Sequence, residues 1–176
     1  MQSDARVDSG FSNPSGIIAA YDAGVIAAAD SGEDSDTCDG TFGVITRKIF
    51  EATGCTGNVC HTTPGLDTPA GALDLTRAHA YRDLVDVRAD LSLDPPLYRV
   101  QPGDPDHSLL YLKLAAKASP EKLPAGGGAP MPLGLPALPA DQLLLVQLWI
   151  QAGAPEAGVV AGTASLLGCT PSGAAP

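Results

Sequence analysis

Cys55-Thr-Gly-Asn-Val-Cys60-His61 is the stretch on which the reading of this 176-residue chain turns. Two cysteines stand four residues apart, and a histidine follows the second directly. Just upstream, residues 41–53 place Phe42, Ile45 and Ile49 on one helical face with Phe50 at its border. Thr41 is the expected cap of that helix and Gly54 its stop. Downstream the motif opens a loop over 55–72. Beyond it, apolar periodicity predicts helices at 77–87, with Ala80, Leu84 and Val87 on one side, and at 109–117, with Ser108 as N-cap. The last predicted helix, 140–152, is entered through Pro139, carries Asp141 in its first turn, presents Leu144, Leu145, Leu148 and Trp149, and is stopped by Gly153 and Pro155.

Composition frames these elements. The chain has 20 glycines and 16 prolines, crowded into 53–72, 94–105 and 119–139, a pattern of short helices joined by stiff loops. Aromatic residues are only 5% of the chain. A core of Ala and Leu is thin for so many loops, and a large buried cofactor would supply the missing apolar surface. The net charge of −10, with no Lys/Arg cluster, excludes nucleic-acid binding and suits a basic protein or a small molecule as partner. No run reaches transmembrane length, and the polar start Met1-Gln-Ser-Asp-Ala-Arg is no secretory signal. The expected organisation is an acidic Ser/Asp/Ala-rich N-terminal tail or linker over 1–40, one all-α domain over 41–155, and a second tail over 156–176. Within the first tail, residues 17–29 have helical character that Gly24 weakens.

The motif itself carries chemistry. Cys-x-x-Cys-His is the attachment signature of covalent haem: two thiols add across the vinyl groups, and the adjacent histidine becomes the proximal iron ligand. In this chain the loop is two residues longer, which a bulge between two fixed cysteines can absorb. The only methionine besides Met1 is Met131, in Gly-Gly-Gly-Ala-Pro-Met-Pro before the last helix. A flexible core filler is wasted in a stiff loop, whereas a soft thioether there suits an iron atom reached from the far side.

The order of short motifs resembles the single-haem, class I-like cytochrome c domains of bacterial extracytoplasmic proteins. Those domains have an Ile-Phe pair closing the first helix, the Cys…Cys-His loop, a GGLDL-like stretch, an RVxPGDPxxSxLxxKL stretch, a Met-Pro loop and a final helix ending W-I-x-x-G-A. The chain has Ile49-Phe50, Cys55…Cys60-His61, Ala70-Gly-Ala-Leu-Asp-Leu75, Arg99-Val-Gln-Pro-Gly-Asp-Pro through Lys113-Leu114, Met131-Pro132 and Leu148-Trp-Ile-Gln-Ala-Gly-Ala154. The likeness covers about residues 42–155 and departs from the usual pattern in the four-residue spacing of the cysteines. It implies a cytochrome c-like fold with long Pro/Gly-rich loops around one covalent haem c. The first and last helices cross beside the cofactor, with Phe50 and Trp149 as the aromatic contacts there. It also implies His61 and Met131 as axial ligands and the Pro64 carbonyl as acceptor for the free ring N–H of His61. Arg99 is a candidate partner of a haem propionate. With Cys55 and Cys60 committed to haem, Cys38 and Cys169 remain as a disulfide pair. It would close a loop of roughly 130 residues, worth up to about 4–5 kcal/mol in the chain-entropy model.

The expected function is electron transfer to and from a redox partner protein or a small electron donor or acceptor, not enzymatic turnover. The expected location is the periplasm or cell surface, with the N-terminal tail as a possible membrane tether. Three rivals stand beside it. One is a haem-free structural or binding module stapled by a Cys55–Cys60 disulfide. A haem peroxidase would need a distal acid–base pair, and none stands out near Met131. A zinc site on Cys55, Cys60 and His61 lacks an evident fourth ligand. His79 and His107 read as surface residues, His107 being the fallback distal ligand, and Asp104 and Asp106 read as turn and capping residues.

Overall fold

The computed structural model describes residues 37–57, 60–62, 69–89 and 93–171. The tail up to residue 36, including the 17–29 segment, and Pro64 lie outside the described residues, as does the side chain of Cys38. The described chain is mostly helical with little strand.

The first helix, α1 (Gly40–Ile45), runs on into a π-helical turn over Thr46–Glu51. The sequence reading missed this widening. Its i→i+5 bonds include Ala52 N–H to the Arg47 carbonyl at 3.2 Å and Cys55 N–H to the Phe50 carbonyl at 2.8 Å, so the wide turn delivers the chain into the cysteine loop. Thr41, expected as a cap, is fully buried, and its hydroxyl has other work. It accepts from Val160 N–H at 2.9 Å and shares a 2.9 Å bond with the Thr163 hydroxyl. Gly40 has φ +87°, and a Cβ there would stand 2.7 Å from the Gly158 carbonyl oxygen. Only glycine lets the two backbones approach so closely.

The next helices are shorter than periodicity suggests at α2 (Ala80–Leu84) and close to it at α3 (Leu109–Ala115) and α4 (Ala140–Gln151). Ser108 does precede α3, but its hydroxyl makes no cap bond. It donates to the Asp104 carbonyl at 2.7 Å and accepts from Gln101 N–H at 2.8 Å, tying the Pro-Gly-Asp-Pro turn to the helix start. Asp104 caps the short turn Pro105–His107 through the His107 N–H at 3.2 Å. The end of α4 follows its sequence closely. Gly153 has φ +90°, its N–H reaches the Ile150 carbonyl and the Ala154 N–H reaches the Trp149 carbonyl, both at 2.9 Å, a Schellman closure.

α1 packs against α4, which also meets α3. Ile45, Ile49, Val146, Trp149 and Ile150 are fully buried in one core. The ring contact at this crossing differs from expectation. Phe42, not Phe50, stacks on Trp149 with centroids 5.0 Å apart, and Tyr81 meets Phe42 edge-on at 5.4 Å. Phe50 lies further along the widened turn and faces a cavity instead.

Residues 156–171, small and poorly patterned in sequence, are built into the domain. They carry α5 (Ala164–Leu167), and Val160, Thr163 and Leu167 are buried. Two-residue strands β1 (Thr37–Cys38) and β2 (Thr170–Pro171) pair in parallel, and Cys169 is disulfide-bonded. Replacing Thr41 with Val leaves the Val160 N–H buried without its acceptor. Thr41→Val should lower unfolding stability by about 1–3 kcal/mol, measured in urea by the fluorescence of Trp149, the single tryptophan.

Candidate functional site

The cavity faced by Phe50 gathers residues from most of the domain. Leu73, Leu75, Leu84, Leu109 and Leu114 give it apolar walls, and Cys55, His61, Arg99, Lys113 and Met131 bring the polar and sulfur atoms. Its volume is ≈ 240 Å³, somewhat below the roughly 300–1,000 Å³ usual for small-molecule and cofactor sites, and it is partly open to solvent. Four residues singled out in the sequence, Cys55, His61, Arg99 and Met131, thus share one wall system. Cys60 is half-buried beside His61 but does not line it.

The longer cysteine loop is absorbed by backbone bonding. His61 N–H donates to the Cys55 carbonyl at 3.0 Å, closing the excursion between them, and smaller turns join Gly57 to Gly54 and Cys60 to Gly57. Cys55 and His61 therefore start from a common point despite the four residues between the cysteines. Cys55 and Cys60 are both free thiols. Burial pushes the Cys55 thiol up, against the bond to the Thr53 hydroxyl at 3.1 Å, and the nearby Cys60 adds to the rise.

His61 is held on three sides. Its carbonyl accepts Leu75 N–H at 2.9 Å, and its ring Nδ1 donates to the Ala70 carbonyl at 2.9 Å. A carbonyl only accepts, so the ring proton sits on Nδ1 and the lone pair on Nε2. Burial lowers the affinity of the ring for a second proton, partly opposed by the carbonyls of Ala70 and Leu73, while Lys113 and Arg99 lower it further. The result is a neutral imidazole with a bare Nε2, the form that ligates metals. The acceptor expected at Pro64 lies outside the described residues; the Ala70 carbonyl is the acceptor seen at Nδ1, and the sequence reading did not name it.

Met131 enters the wall from the loop after α3, its N–H bonded to the Lys113 carbonyl at 3.0 Å. Arg99 donates to three carbonyls, of Asp83 at 2.8 Å, Gly71 at 2.9 Å and Ala72 at 3.1 Å. Lys113 donates to the Ala129 carbonyl at 3.1 Å, and burial lowers its pKa. Among the described residues neither cation pairs with a carboxylate. The cavity therefore joins apolar walls to two positive charges free to meet an anionic group. Lys113 was passed over in the sequence, although it stands in the same motif as Arg99. His107 is exposed and its Nδ1 lies 2.7 Å from Asp104, away from the cavity. Among the described residues no three or more His, Cys, Asp or Glu side chains form a metal-binding group. No protein-family model, curated protein or solved structure matches the chain.

The buried imidazole ties stability to pH. Unfolded, His61 takes up its proton near the ordinary value of 6.5; folded, it does so only at lower pH. The unfolded chain binds more protons in that interval, so this contribution is complete above 6.5 and declines as pH falls below it. The stability gap between the parent chain and His61→Gln should shift against the parent between about pH 7.5 and pH 5, read from urea unfolding at each pH.

Proposed function

We propose that the chain is a single-haem c-type cytochrome domain that carries electrons. The observation that supports this most is the meeting of Cys55 and His61 with Met131, from two distant parts of the sequence, on one apolar cavity. The donor set fits the group. His61 offers a bare Nε2 with its other nitrogen anchored, the support that fixes orientation and raises ligand basicity in metal sites. Met131 offers a thioether, and a His/Met pair favours a high reduction potential. Cys55 and Cys60 are reduced, as thioether formation needs, since each S–H adds across a carbon–carbon double bond with no oxidant.

Haem, when bound, supplies one-electron chemistry between ferric and ferrous iron. The chain's own residues do the rest. With haem bound, the leucine-rich walls would lower the local dielectric, Met131 would be the candidate second axial ligand, and Arg99 and Lys113 would be the candidates to pair with its propionates. The helical character of the domain agrees with a cytochrome c-like fold. The disulfide at Cys169 agrees with an oxidising compartment such as the periplasm or cell surface. No helix among the described residues is long and apolar enough to cross a membrane. A redox partner protein or small electron donor or acceptor completes the reading.

Protein exported through a haem-attachment system should show a sharp reduced α-band and keep one haem mass after denaturation. Met131→Ala should abolish the weak sulfur-to-iron band of the oxidised form and convert the iron from six-coordinate low-spin. A colourless product of bare polypeptide mass under the same export would overturn the proposal.

A further inference from the structure

Asp74 lies outside the cavity wall and is only 4% exposed, an unusual place for a carboxylate. Its Oδ1 accepts from the Thr76 N–H at 2.8 Å and from the Thr76 hydroxyl at 2.6 Å. Its Oδ2 lies 3.0 Å from Nδ1 of His79, and its own N–H donates to the Asp83 carboxylate at 3.1 Å. Thr76, His79 and Asp83 stand at the entry to and within α2, so four contacts pin residue 74 to that helix. The chain just before it, Ala70–Ala72, is a short 3₁₀ turn with Gly71 at φ +67°, held by Arg99 at the Gly71 and Ala72 carbonyls. This is the segment that grips His61, through the Ala70 carbonyl at the ring and Leu75 N–H at the backbone.

We infer that Asp74 is a positioning residue for His61: the buried carboxylate anchors the 70–75 segment to α2 and so fixes the Nδ1–H tautomer and the orientation of the ring. The alternative, a turn that merely starts α2, uses the same Thr76 bonds but predicts nothing at His61. The anchor works in two places. In the chain without haem it selects the tautomer. In the loaded protein, which rests on the function proposed above, it keeps the Nδ1–H bond firm and the ligand basic. A basic ligand favours ferric iron, so loosening the anchor raises the reduction potential.

The test compares parent, Asp74→Asn and the milder His79→Gln, which removes one partner of the carboxylate at a half-exposed site. Imidazole ¹⁵N spectra of the haem-free chain give the ratio of Nδ1–H to Nε2–H at His61. We expect the ratio to fall in both variants, by about two- to tenfold in Asp74→Asn, the span of one ordinary hydrogen bond. In haem-loaded protein the same variants should move the one-electron equilibrium toward the reduced form by a similar factor, where tenfold corresponds to about 59 mV. A lowered thermal midpoint with an unchanged tautomer ratio in His79→Gln, and in Asp74→Asn where it folds, would leave Asp74 a structural residue and overturn the inference. A parent chain that never takes up haem overturns the function proposed above instead, and the tautomer ratio in the haem-free chain still decides the role of Asp74.

Discussion

The stack of Phe42 on Trp149 joins the beginning of the domain to its end, and the cavity depends on that seam. Few aromatic rings are available, so α1 and α4 supply most of the large buried side chains, and a close-packed interior tolerates little slack between them. Trp149 contributes at three levels. Its ring packs on Phe42, its indole N–H reaches the Pro155 carbonyl at 2.9 Å, and its carbonyl closes the helix end through Ala154. From this seam the widened turn of α1 carries Phe50 and Cys55 onto one wall of the cavity, while α3 brings Leu109, Lys113 and Leu114 to another.

The electrostatics of the cavity follow from what the backbone is asked to do. Arg99 spends its donors on three carbonyls, that of Asp83 near the end of α2 and those of Gly71 and Ala72 in the 3₁₀ turn of the loop before it. These bonds satisfy acceptors that a long loop otherwise leaves to water. They do not neutralise the guanidinium, however, because carbonyls are dipoles and not charges. Lys113 is in the same position at the Ala129 carbonyl. A fold that uses cations to brace its loops thus ends with uncompensated positive charge beside a neutral imidazole, and both features favour an electron-rich occupant.

Much of this was legible in the sequence where side-chain chemistry fixes position. The end of α4 follows from Gly153 and Pro155, and Met131 stood out because its loop is a poor place for a flexible apolar residue. Cys55, His61, Met131 and Arg99 do share a cavity. The illegible parts share a physical cause: they are made by backbone atoms or by small residues without a period. The Ala70 carbonyl has no side-chain signature. The π-helical turn arises inside an ordinary amphipathic pattern, and the ring stacked on Trp149 is that of Phe42, ahead of the turn. Residues 156–171 have few large side chains and no clear period, yet Thr163 and Val160 are fixed by hydrogen bonds to Thr41. Short loop helices such as α2 end early because Asp86 and Ala89 N–H bond across to the Val100 and Leu97 carbonyls and the Leu84 carbonyl accepts from Val100 N–H, a choice between partners that local propensity does not record.

The parallel pairing of β1 with β2 bears on how the domain answers force. Because the strands run the same way, the chain enters one end of the pair and leaves at the other. Tension between residues before 37 and residues after 171 therefore drags the strands lengthwise and loads their bonds together in shear. The next contact in line, Thr41 N–H on the Gly158 carbonyl at 2.9 Å, lies close behind. A pull on the flanking chain is met at this short clasp, so the seam and the cavity behind it are mechanically shielded.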